Sequence, residues 1–118
     1  LNKRQTGAQF EKITAEFLME QGYTILEMNY RCRTGEIDIV AKEDGYICFV
    51  EVKYRNGTDY GFPAEAIGGR KRLTIFNTAR HFLLTHGYQD ETPARFDAVL
   101  ILGKELELIR NAYGGFQG

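Results

Sequence analysis

Gly35 to Arg55 reads GEIDIVAKEDGYICFVEVKYR. Two apolar runs flank Asp44-Gly45, a dipeptide that favours a tight β-hairpin turn. Side chains alternate faces along a strand. In the second run, Phe49, Glu51, Lys53 and Arg55 therefore share one face, and Val50, Val52 and Tyr54 share the other. In the first run, Glu36, Asp38 and Val40 share a face opposite Ile37 and Ile39. A turn centred on Asp44-Gly45 pairs Glu43 with Tyr46. It then sets Asp38 opposite Glu51 and Glu36 opposite Lys53. Like charges directly opposite destabilise a sheet, so Asp38 and Glu51 need water, a shared proton or a cation between them.

Two readings fit this spacing equally. Two carboxylates converging beside a lysine suit a hard divalent ion. Mg²⁺ takes oxygen ligands, usually one or two carboxylates plus waters and phosphate oxygens. The duller reading makes Glu36 and Lys53 a cross-strand ion pair and leaves Asp38 and Glu51 solvated on an open sheet face. Glu11 bears on the choice. Helical spacing puts it at the rim of an apolar stripe, where it either reaches the same ion or points to solvent.

Outward from the hairpin, Thr6 to Gln21 reads as a helix. Thr6 is its expected cap, and Phe10, Ile13, Phe17 and Leu18 are its expected inward face. Tyr23 to Cys32 reads as a strand. After the hairpin come a loop at Asn56–Gly61, a short turn from Pro63 to Ile67, and the breaker Gly68-Gly69. Arg70 to His86 reads as a second helix with Ile75, Phe76, Ala79, Phe82 and Leu83 inward. Phe96–Leu102 and Glu105–Arg110 read as strands around Gly103-Lys104, followed by a frayed tail, NAYGGFQG. The order α-β-β-β-α-β-β predicts an α/β fold with a mixed sheet flanked by helices.

A chain of 118 residues suits a single domain, here 1–118, with one modest core. The formal charge is -1, so any nucleic-acid-binding surface must be local. Cys32 and Cys48 form no C-x-x-C pair, and a reducing, cytoplasmic setting is expected. No apolar run approaches membrane-spanning length and no signal-peptide pattern opens the chain, so no membrane partner is expected. The chain starts at Leu1, so a few native residues are expected to precede it.

GEIDIVA, FVEVKYR and RFDAVLIL, after a helix carrying EKITAEFL and the segment GYTILEMNYR, together resemble the YraN-type family of small bacterial proteins. That resemblance covers nearly the whole chain. It implies a restriction-endonuclease-like fold and kinship with Holliday-junction resolvases and PD-(D/E)XK nucleases. It implies a Mg²⁺ or Mn²⁺ cofactor held by Asp38 and Glu51, with Lys53 assisting the attacking water and Glu11 as a helix-borne acid. Phe10 stands where such proteins often carry glycine.

Other charges admit two roles. Arg31, Arg33 and Arg55 border the expected site and suit phosphate contacts. Arg70, Lys71 and Arg72 open the second helix. Cations there oppose the helix dipole, and the resemblance favours Lys71 as the DNA contact. A solvated charge run is the ordinary alternative for Arg70 and Arg72. Tyr30, Tyr54 and Tyr60 are expected to pack rather than stack on bases, and His81 and His86 do not share a helix face. Arg95 and Asp97 either support the site or form a structural ion pair. The function expected is a metal-dependent endonuclease for DNA, branched or single-stranded, and the resemblance admits a homodimer. The alternative is a non-catalytic DNA-binding or protein-interaction module on the same fold.

Overall fold

The structure is a computed structural model that describes residues 3–55 and 69–113, with side chains at 9–54 and 72–113. Helix α1 spans Lys3–Glu20. Strands β1, β2 and β3 span Thr24–Cys32, Gly35–Glu43 and Tyr46–Arg55. Helix α2 spans Gly69–Thr85, and strands β4 and β5 span Ala94–Leu102 and Glu105–Ile109. The expected loop at 56–61 and turn at 63–67 lie outside the described residues.

The five strands form one sheet in the order β1-β2-β3-β4-β5. Neighbours are antiparallel except β3 and β4, which are parallel. A parallel pair needs a long crossover, and the connection from β3 to β4 contains α2. The fold is thus a mixed α/β sheet flanked by two helices, in the order the sequence predicts.

Each helix buries one stripe on one face of the sheet. Ile75, Ala79 and Phe82 of α2 pack against Val40, Phe49 and Phe96. Leu18 of α1 packs against Ile39, Val50, Val99 and Ile101. The inward stripe of α1 is Phe10, Thr14, Phe17 and Leu18, at helical spacing. Ile13, expected inward, is 47% exposed. A threonine hid the true stripe: Thr14 is fully buried, with its hydroxyl donating to the Phe10 carbonyl at 2.7 Å. Nor is Thr6 the cap, because the helix begins at Lys3 and Thr6 lies within it.

Strict alternation fails where β1 meets β2. Met28 pairs with Ile39 and Tyr30 with Ile37, which leaves Asn29 across from Asp38. Met28 and Ile39 pack on the α1 side, whereas Tyr30 and Ile37 pack on the α2 side. Ile37 and Ile39 therefore do not share a face. Asn29 absorbs the twist with φ +53°, a left-handed conformation that asparagine tolerates.

The tail is not frayed as far as Tyr113. The Asn111 N–H donates to Asp97 Oδ1 at 2.9 Å, and the Ala112 N–H donates to the Phe96 carbonyl at 2.7 Å. These bonds join positions far apart in sequence, which composition does not register.

Candidate active site

The hairpin register is the expected one from Glu43↔Tyr46 to Ile39↔Val50, and the ladder ends there. One rung further, the Asp38 carboxylate replaces a strand partner. Its Oδ2 accepts the Val52 N–H at 2.8 Å. β2 and β3 thus separate at the rung where two carboxylates would face each other, and Asp38 and Glu51 line a cavity of about 350 Å³ together with Glu36 and Lys53. Lys53 Nζ lies 3.3 Å from Glu51 Oε1, and the two side chains are 25% and 14% exposed. The Glu36–Lys53 ion pair of the duller reading does not form, and two others stand in its place. Lys53 turns to Glu51, and Glu36 accepts from Arg31 Nε on the neighbouring strand.

This crowding acts on Asp38. Burial pushes its pKa up, the Val52 N–H pulls it down, and the charges of Glu51, Glu36 and Glu11 raise it further, to about 6. Desolvation and like charge both disfavour the ionised form. A cation in the cavity would reverse that penalty.

Helix α2 forms the opposite wall through Thr74 and Ile75. Its close approach depends on Gly35, which has φ +154°. A Cβ there would stand 2.8 Å from Thr74 Cγ2 and 3.0 Å from Thr78 Oγ1. Thr78 is fully buried, donates to the Thr74 carbonyl at 2.8 Å, and shares a 3.0 Å hydrogen bond with Thr34 in the β1–β2 turn. The cavity is completed by Tyr113, whose hydroxyl donates to Glu51 Oε2 at 3.1 Å. Sequence reasoning missed Tyr113, because nothing local marks a tyrosine after the last strand as a neighbour of β3.

The family model described as "Uncharacterised protein family UPF0102" matches residues 10–101. The chain belongs to this family. It is 51% identical to a UPF0102 protein of Lachnoclostridium phytofermentans, over 98% of both chains. It is 46% identical to the UPF0102 protein NE0719 of Nitrosomonas europaea, over 91% of this chain and 92% of that one. A UPF0102 protein of Caldicellulosiruptor bescii is 43% identical, over 96% of this chain and all of its own. The matched span holds Glu11, Asp38, Glu51 and Lys53 and ends before Tyr113.

The remaining predicted residues of this UPF0102 chain scatter. Glu11 does not line the cavity. It is half-buried on α1 and accepts a 3.2 Å hydrogen bond from Asn29 Nδ2, at the rung across from Asp38. Its charge nonetheless contributes to the raised pKa of Asp38. Phe10 stacks on Tyr54, with ring centroids 4.6 Å apart. Arg31 is 75% exposed and paired to Glu36, and Arg33 is exposed in the β1–β2 turn. The side chains of Arg55, Arg70 and Lys71 lie outside the described residues. Arg72 places its guanidinium over the Tyr113 ring, 5.6 Å from the centroid.

Arg95 and Asp97 form a structural network away from the cavity. Asp97 is fully buried and accepts from Tyr23 Oη at 2.6 Å, from Arg95 Nε at 2.9 Å and from the Asn111 backbone. Arg95 also pairs with Glu43, which Arg110 grips through Nε and Nη2. His81 and His86 both pack on Tyr30, and the His86 Nδ1 bonds the Phe82 carbonyl at 2.8 Å. Cys48 is fully buried, and burial pushes its thiol up to about 12.

Among the described residues, no three histidine, cysteine or carboxylate side chains converge to enclose an ion by themselves. Two carboxylates in an open cavity leave room for water and phosphate oxygens. That incomplete donor set is the kind Mg²⁺ usually takes from a protein. No helix among the described residues is long and apolar enough to cross a membrane.

Proposed function

We propose that this protein is a metal-dependent DNA endonuclease with a restriction-endonuclease-like fold, acting on branched or single-stranded DNA in the cytoplasm. The observation that carries this reading is Asp38 at the point where β2 and β3 part. Its half-buried carboxylate shares a cavity with Glu51 and Lys53. A protein stabilised only by its core gains nothing from a half-buried aspartate raised to about 6 by its surroundings.

Asp38 and Glu51 would hold Mg²⁺ or Mn²⁺, and the bound ion would polarise a phosphoryl oxygen and acidify a water. Lys53 donates into the same cavity, where its ammonium orients the attacking water or balances charge growing on phosphorus. The oxygen of water bonds to phosphorus as one ester P–O bond breaks; the water gives up a proton and the leaving oxygen takes one up from solvent, so that one water is added overall. Glu11 stands behind Asn29 and acts on this site through its charge. Arg33, Arg55 and Lys71 are the proposed phosphate contacts. With a net charge of -1, binding would rest on a few such cations rather than on overall basicity.

The test is a cleavage assay with linear, nicked, flapped, four-way and single-stranded DNA. With Mg²⁺ or Mn²⁺ at least one of these is cut, and EDTA stops the reaction. Glu51→Ala and Lys53→Ala each lose about a hundredfold or more in rate while remaining folded. Equal cutting by Glu51→Ala would point to a contaminant or to a different site. DNA binding without cleavage of any substrate would replace this reading with a non-catalytic module.

A further inference from the structure

We infer that Tyr113 is a positioning residue that holds the Glu51 carboxylate in its ligating orientation. The inference rests on the metal-dependent reading of the cavity and adds a residue outside the span matched by the family model. Glu51 is gripped at both oxygens. Lys53 Nζ is 3.3 Å from Oε1, and the Tyr113 hydroxyl donates to Oε2 at 3.1 Å. A glutamate has three side-chain torsions, so an ungripped carboxylate at the mouth of a cavity spends little time in any one orientation. Two donors on opposite oxygens narrow the carboxylate to orientations that face the cavity it lines.

Tyr113 is itself held. Its ring meets the guanidinium of Arg72, 5.6 Å from the centroid, and the ring of Phe96, also at 5.6 Å. The segment before it is pinned through two backbone N–H groups, Asn111 to the buried Asp97 and Ala112 to the Phe96 carbonyl. A surface tyrosine with no task would not need both its ring and its backbone fixed against β4. The hydroxyl is also the only polar atom of the side chain, and it is spent on Glu51. Removing it leaves the ring contacts and the backbone anchors untouched.

Partners that orient a metal ligand typically contribute 10–100-fold to metal affinity. The measurement is Mn²⁺ affinity of the full chain by calorimetry, for the parent and Tyr113→Phe, with urea unfolding of both as the check on folding. Tyr113→Phe should bind Mn²⁺ about 10-fold more weakly or worse, with an unchanged metal-free unfolding midpoint. Because phenylalanine keeps the ring, a purely structural role predicts no change in affinity. Equal affinity in the two proteins overturns the inference and leaves the reading of the cavity standing. A parent that binds no Mn²⁺ overturns both. DNA cleavage is not needed for either outcome.

Discussion

Two carboxylate clusters lie on the same sheet and are built to opposite ends. At one, Asp97 is fully buried yet receives Tyr23, Arg95 and a backbone N–H, and Glu43 receives two arginines. The arginines hold the Glu43 carboxyl down to about 2. At the other, Asp38 receives a single backbone N–H, is surrounded by Glu51, Glu36 and Glu11, and rises to about 6. Burial alone does not separate the clusters, since it opposes ionisation in both. The number of donors does. A carboxylate fully answered by donors is part of the scaffold, whereas Asp38, short of donors among the described residues, is where an added cation would relieve the most.

The largest effect should come from the scaffold cluster. Asp97→Ala leaves Arg95 and the Tyr23 hydroxyl without their shared acceptor, and should cost about 3–5 kcal/mol of unfolding free energy. Urea unfolding measures it. A loss of under 1 kcal/mol would erase the distinction between the clusters.

Glu43 and Asp38 should then respond to pH with opposite signs. The native pKa of Glu43 lies below its ordinary 4.5, so its contribution is present above about pH 4.5 and is lost as pH falls towards 2. Glu43→Gln should lose about 2 kcal/mol at pH 7 and show a flatter stability curve across that acidic window. Asp38 has its native pKa above the ordinary 3.8, so its contribution is present below about pH 4 and is lost as pH rises through 6. Metal-free parent protein should therefore weaken across pH 4–6 from this group, and Asp38→Asn should not.

The smallest effect is the most informative. At pH 7 in EDTA, Asp38→Asn should match the parent or exceed it by about 1–2 kcal/mol, since asparagine keeps an acceptor for the Val52 N–H. Mn²⁺ should stabilise the parent, by about 2.7 kcal/mol at a hundredfold excess over its dissociation constant, and should not stabilise the variant. A clearly less stable Asp38→Asn would make Asp38 a scaffold acceptor like Asp97, and the contrast would collapse.

The sequence by itself determined the elements, their order and the hairpin register. Those depend on local period and on turn chemistry at Asp44-Gly45, which act over a few residues. It also placed Asp38, Glu51 and Lys53 on neighbouring strands, because a register once set carries its charges with it. What it did not contain was where alternation stops. With Asn29 at φ +53°, Tyr30 and Ile37 fall on the face opposite Met28 and Ile39, a break that no sequence period marks. Thr14 could join an apolar stripe only because its hydroxyl is satisfied within the helix. Only the tertiary structure decided that Glu36 pairs with Arg31 rather than Lys53, that Arg95 and Asp97 belong to the scaffold, and that Tyr113 meets Glu51. Each is a choice among partners distant along the chain, made by sheet order and by the close approach that Gly35 permits.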